Sequence, residues 1–315
     1  MTHAGTGALT VAFLVALASP PHAGEEAALS SRTIAPPPGR YFVAKDGQEL
    51  SWSEVADRAR KSAVVYVGEK HDEPIDHALQ LALLGALRSK NPEVVLGMEM
   101  FDRTQQRSLD RYVRGETSEE EFLAESRYRE RWGFDYGLYK PLLDYSRETG
   151  VRVSGLNVTQ DLVSRVRKVG LRGLELAEQT QLPSIDLTRP AHRRRILDAI
   201  TKSHPGSGNP EAKAILERYY EALCVWDETM ADAVLGEFLR DRTPRLQVLV
   251  VAGRAHVETG DGIPGRVRRR FPHPSFVVVP AQTDDEPGSP VRFEGRPIAD
   301  VVFFPEKSAP RRRFF

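Results

Sequence analysis

The stretch VVYVGEKHDEP, residues 64–74, decides how the rest of the chain is read. Four consecutive apolar residues, Val64 to Val67, run into Gly68, and Glu69, Lys70, His71 and Asp72 follow without a gap. A short continuous apolar run ended by glycine is the mark of a strand covered on both faces, as in a parallel sheet packed between helices. Ionisable groups at the end of such a strand lie at the rim of the sheet and face a crevice there.

The flanking residues extend the pattern. In EPIDHALQLALLGALRSK, which follows at once, Ile75, Leu79, Leu83 and Leu87 recur at helical spacing. Pro74 suits the first turn, and Asp72 and Glu73 complement its positive end. EVVLGMEMF, residues 93–101, is a second buried strand. Strand, helix and strand with short joints make a right-handed βαβ unit, so the sheet is parallel. Residues 151–158, 246–257, 275–281 and 299–304 read as further strands, and helical segments fill about 104–148 and 159–243. Upstream, YFVAKDGQELSWSEV suggests a hairpin turning at Asp46-Gly47, then a helix opening near Ser51 or Ser53. The expected fold is α/β: a mostly parallel sheet flanked by helices, with a helical lobe inserted between strands.

The chain has 315 residues, 44 basic and 44 acidic side chains and one cysteine, Cys224. Balanced charge gives no net field toward nucleic acid or an anionic membrane, and a lone cysteine allows no internal disulfide. ALTVAFLVALA, residues 8–18, is too short to span a bilayer but has the length of a signal-peptide core, with Ala23 as a cleavage point. The expected organisation is a signal segment over 1–23, a linker over 24–40 that ends in the stiff IAPPPGR, one α/β domain over 41–304, and a disordered tail over 305–315. That organisation predicts export to the periplasm or the periphery of an outer membrane. With no cysteine near the signal segment, a cysteine-linked lipid anchor is not expected.

Three strands end alike: VVYVGEKH, VVLGMEM and VLVVAGRAH. In a parallel sheet these ends share one edge, where ligands bind. Glu69, His71, Glu99 and His256 are therefore expected to converge, with Gly68, Gly97 and Gly253 allowing sharp bends or close approach. Two imidazoles and two carboxylates suit a divalent metal such as zinc, manganese or cobalt, which would generate hydroxide from bound water. Without a metal, a His–Glu pair would serve as general base. No Gly-x-Ser-x-Gly elbow or phosphate loop is present, no G-x-G-x-x-G directly follows a strand as a dinucleotide fingerprint would, and Cys224 sits in an apolar helical run. His77, one turn into its helix, and HRRR, residues 192–195, read as solvated helix positions.

Five segments in order carry a resemblance: VVYVGEKHDEPIDH, EVVLGMEMFDRTQQRSLDRYVRGE, RWGFDYGLYKPLLDYSRETGVRVSGLNV, YYEALCVWDETMADAV and VLVVAGRAHVETGDGIPGRV. Over about residues 42–280 the chain resembles the ChaN-type haem-binding uptake proteins, of the superfamily that includes the Tiki and TraB proteins and the erythromycin esterases. The resemblance implies a parallel-sheet core with a helical lobe, export, and haem binding tied to iron acquisition. Partners would be haem, an outer-membrane haem-uptake system and possible homodimerisation, with no nucleic acid.

Carried over, the superfamily's shared site falls on Glu69, His71, Glu99 and His256, which Tiki-like members associate with a metal and hydrolysis. ChaN-like members imply tyrosine ligation of haem iron, for which Tyr219 and Tyr220 are the candidates. The chain departs from the pattern in lacking a lipoprotein cysteine and in carrying Leu223 where a polar glutamine is expected. Independently of the resemblance, RYRERWGFDYGLYKPLLDY (127–145) and the helix bearing Tyr219, Leu223, Trp226 and Met230 supply the aromatic and cationic groups that a haem surface needs, though such stripes also build cores. The residues leave open whether the protein is an enzyme.

Overall fold

The structure, a computed structural model, describes residues 34–37, 39–203, 210–282, 285 and 289–305. The expected signal segment and nearly all of the expected tail fall outside those residues. One eight-stranded sheet organises the chain. Its strands are β1 (Gly39–Ala44), β2 (Glu49–Leu50), β3 (Val64–Glu69), β4 (Val94–Asp102), β5 (Arg152–Asn157), β6 (Gln247–Gly253), β7 (Ser275–Pro280) and, after the small β8 (Arg292–Phe293) and β9 (Arg296–Pro297) ribbon, β10 (Val301–Pro305). The order across the sheet is β2-β1-β10-β7-β3-β6-β4-β5, parallel from β10 to β5, with β1 and β2 antiparallel at one edge. The α/β reading of the sequence is therefore the observed architecture, including the hairpin that turns at Asp46-Gly47.

Successive side chains along a strand point to opposite faces, so the apolar runs feed two cores at once. Val65, Val67, Leu96, Met98, Leu249 and Val251 enter one core, covered by α1 (Trp52–Arg60), α2 (Pro74–Arg88), α3 (Gln106–Val113), α4 (Glu119–Ser126), α5 (Tyr128–Arg131) and α6 (Tyr136–Thr149). Val64, Tyr66, Val248, Val250 and Ala252 enter the other. The remaining helices are α7 (Gln160–Val169), α8 (Leu176–Gln179), α9 (Pro190–Ser203), the long α10 (Pro210–Arg240), α11 (Arg254–Val257) and α12 (Ile263–Arg270). From α10 and α12, Met230, Val234, Ile263 and Val267 close the second core, while α7, α9 and the first half of α10 build smaller cores of their own, the expected lobe.

The caps follow the sequence. Ser51 accepts from the Glu54 N–H while the Glu54 carboxylate accepts from the Ser51 N–H, a reciprocal cap that starts α1. Pro74 opens α2 directly after Glu73. Register then levels the functional ends, because Glu69 pairs with Gly253 and Met98 with Val251. Glu69, Glu99 and the turn after β6 consequently lie side by side.

Candidate functional site

Beyond β3, β4 and β6 lies a cavity of about 250 Å³ whose walls include His71, Glu99, Met100, Trp132, Phe134, Asn157, Trp226 and His256. The expected convergence holds for three of the four residues, His71, Glu99 and His256. Glu69 is adjacent but does not line the cavity. Its Oε1 accepts from the Tyr139 hydroxyl at 2.6 Å and lies 2.6 Å from His71 Nδ1, while Oε2 accepts from Gln80 Nε2 at 2.5 Å. Both oxygens are thus engaged inside the protein, and Glu69 orients His71.

A matching arrangement lies on the other side. His256 Nδ1 is 2.7 Å from Asp227 Oδ1, and its Nε2 faces Glu99 Oε1 at 3.4 Å. Asp227, a buried residue of α10, therefore does for His256 what Glu69 does for His71. Behind each carboxylate stands a second, buried imidazole: His77 Nδ1 at 3.5 Å from Glu69 Oε2, and His192 Nε2 at 3.4 Å from Asp227 Oδ2. Both had read as solvated helix positions. The correction has one cause: a polar residue can sit on the covered side of a helix when a buried carboxylate from another element meets it. Arg195 in HRRR is also covered, paired with the half-buried Glu258 at 2.6 Å.

Two glycines let these parts approach. A Cβ on Gly253 would stand 2.9 Å from His71 Cε1 and 3.1 Å from its Nε2, so a bare backbone lets the ring lie flat against the turn. The Gly253 N–H donates to Glu99 Oε2 at 2.6 Å. At Gly68 a Cβ would meet Val257 Cγ2 at 2.8 Å, which is how α11 packs directly on β3.

Electrostatics follow from the pairs. Burial raises the Glu69 carboxyl, but the His71 hydrogen bond and the His77 and His71 imidazoles outweigh it and hold the group below its ordinary value. Burial likewise opposes charging of His71, yet the hydrogen bond to Glu69 and the nearby Glu99 carboxylate push that imidazole up. His256 is also raised, with Glu99 and Asp227 prevailing over burial. Asp227 is lowered, because Arg266 and His256 outweigh its desolvation. Two imidazoles oriented through Nδ1, with a carboxylate between them, form an acid–base pair aimed at one small space.

Among the described residues, no group of three or more His, Cys, Asp or Glu is arranged to hold a metal ion. The four-donor set expected from the strand ends differs from the geometry chiefly at Glu69, whose lone pairs are spent on Tyr139, Gln80 and His71.

The two candidate tyrosines part company. Tyr219 is 42% exposed on the outer face of α10, with the Arg167 guanidinium 5.2 Å from its ring centre. Tyr220 is 2% exposed and packs against His192 with ring centres 5.7 Å apart. Trp226 joins this outer face to the cavity: Arg167 lies 4.8 Å over its ring, and it meets His256 at right angles with ring centres 6.0 Å apart.

Sequence reasoning missed Asp227, Tyr139 and Gln80 as partners of the site. The available signal was an aspartate on the otherwise apolar or aromatic face Tyr220–Cys224–Asp227.

A family model described as haem-binding uptake, Tiki superfamily, ChaN matches residues 55–267. Among curated proteins, the chloroplastic Protein RETICULATA-RELATED 5 of Arabidopsis thaliana is 27% identical over 280 residues, or 83% of this chain. The chain spans 36% of that relative's length. Among solved structures, ChaN of Campylobacter jejuni, described with cofacial haem binding, superposes with a TM-score of 0.63 at 19% identity. That match covers 84% of this chain and 96% of the other, and at such identity it speaks to the fold alone.

Proposed function

The chain belongs to the ChaN haem-binding uptake family of the Tiki superfamily, and on that premise we propose that it is an exported protein that binds haem as cargo for iron uptake. The observation that carries the reading is the exposed phenol of Tyr219. A porphyrin needs a flat apolar contact, one axial donor and cations for its propionates. The strand-end cavity, at about 250 Å³, is smaller than the roughly 300–1,000 Å³ of pockets that enclose even drug-sized ligands. The outer face of α10 meets the requirements better. Ile215, one turn before Tyr219, is exposed, as is Val169 at the end of α7, whose next residue, Gly170, lies against Glu221 and Arg218 of α10. Arg167 supplies a cation over the Tyr219 ring, and Arg218 is tied to the Arg167 carbonyl, to which its Nε donates at 3.0 Å. Tyr220 lies under His192 and is reached only by unpacking the lobe, so the ligand assignment goes to Tyr219.

Titrating hemin into the purified protein tests the reading. The expected result is a shifted Soret band with micromolar or tighter affinity, weakened about tenfold or more in Tyr219→Phe and unchanged in Tyr220→Phe. An unshifted band in the unaltered protein removes haem binding, and the reverse order of the two variants moves the ligand to Tyr220. Export is tested separately, by fractionating cells that express the full chain.

A second reading is favoured by the paired imidazoles: the strand-end cavity is a hydrolytic site. His71 or His256 would take a proton from water through Nε2, with Glu69 and Asp227 orienting the rings and Glu99 between them. The geometry supports metal-free acid–base work over the metal-dependent form, because Glu69 is committed to Tyr139 and Gln80. Hydrolysis of small activated esters that persists in His71→Ala and His256→Ala would exclude this site. Divalent metal retained by the protein and lost in those variants would restore the metal-dependent form.

A further inference from the structure

His192, carried on α9, is wholly buried behind the strand-end cavity, and neither of its ring nitrogens makes a hydrogen bond. Around it the Tyr220 hydroxyl, Asp227 Oδ2 and Arg195 Nε are also buried and without hydrogen-bond partners, whereas Arg266 Nε is paired with Glu228 Oε1 at 3.2 Å. The group is compact. Tyr220 lies tilted against His192, Asp227 Oδ2 lies 3.4 Å from His192 Nε2, and Arg266 reaches Asp227 Oδ2 at 3.5 Å and Cys224 Sγ at 3.2 Å. Folded proteins rarely leave even one such atom unsatisfied, and a cluster of them marks a polar chamber. Ordered water with roughly two to four polar partners is what normally fills one.

We propose that this chamber is a water-binding site and that the water completes a chain from His256 through Asp227 to His192, making His192 a positioning residue for the cavity imidazole. The two sides of the site explain why only one needs water. At Glu69 the protein supplies every donor, since Tyr139, Gln80 and His71 hold both oxygens. At Asp227 only Oδ1 is held at close range, by His256 Nδ1 at 2.7 Å. A water bridging Oδ2, the His192 ring and the Tyr220 hydroxyl fixes the carboxylate plane, and with it the direction of His256 Nε2. Burial, with Arg266 and Arg195 adding to it against Asp227, pushes the His192 imidazole down to about 4. A neutral ring offers one donor and one acceptor, which is what a bridging water requires.

A crystal structure of the full chain and histidine-labelled NMR test the proposal together. Density is expected within hydrogen-bond distance of at least three of Asp227 Oδ2, the two His192 nitrogens and the Tyr220 hydroxyl. At a pH where the ring is neutral, His256 is expected as a single tautomer protonated at Nδ1. Replacing His192→Phe fills the chamber with an apolar ring and should shift the His256 tautomer ratio roughly fivefold toward Nε2–H, with His192→Gln restoring it. Tyr220→Phe removes only the hydroxyl and should give a smaller shift, which keeps the test open if the phenylalanine at 192 does not fold. A dry chamber, or a His256 tautomer unchanged in folded variants of both residues, overturns the proposal.

Discussion

Glu99 and Gly253 are joined across neighbouring strand ends, the glycine N–H donating to Glu99 Oε2 at 2.6 Å, and the same glycine is the surface on which His71 rests. An alanine there keeps the N–H but drives a methyl into the imidazole. Gly253→Ala is expected to destabilise the fold by about 1–3 kcal/mol through overpacking and to displace the His71 ring. Urea unfolding and the His71 NMR signals check this. Unchanged stability with unmoved signals would mean that ring and backbone do not press together.

The Tyr139 hydroxyl donates to a buried carboxylate, which makes the bond charge-assisted. Tyr139→Phe should cost about 2 kcal/mol in unfolding free energy, and Gln80→Leu a similar amount. Because both donors serve Glu69, their effects should not add, and a double-mutant cycle should return a coupling of about 0.5 kcal/mol or more. Strict additivity would contradict the shared carboxylate.

Two buried groups give opposite pH slopes. Burial, opposed by the Lys70 N–H and assisted by Glu73 and Glu69, raises Asp76 to about 7. Its folded form holds a proton that the unfolded chain releases near its ordinary value of about 4, so this group's contribution falls as pH rises from about 4 to 7. The full effect is roughly 4 kcal/mol, and Asp76→Asn should remove it. His192 works the other way. With its folded value near 4 and an unfolded value near 6.5, the unfolded chain binds more protons between these limits. Stability from this group therefore rises with pH across that window by roughly 3 kcal/mol, and His192→Gln should flatten the rise. Denaturant unfolding from pH 4 to 8 separates the two; slopes of the reverse sign in the variants would refute the assignments.

The sheet was legible because β3, β4 and β6 are covered on both faces and so read as unbroken apolar runs. Their register then followed from parallel pairing, which is why His71, Glu99 and His256 could be placed together from sequence. The orienting shell was not legible. Tyr139, Gln80 and Asp227 come from helices, where spacing shows which residues share a face but not which partner covers it. His77 and His192 misled for that reason: each sits beneath a carboxylate supplied by a different element. Glu69 misled differently, since a strand-end carboxylate looks the same in sequence whether it faces a crevice or a tyrosine.

Trp226 carries the Arg167 guanidinium over its ring and meets His256 in a perpendicular, T-shaped contact. A single indole thus forms the party wall between the surface bearing Tyr219 and the hollow bearing the paired imidazoles. Neither compartment is free to change shape alone: a substitution outside that shifts the indole moves a wall of the inside.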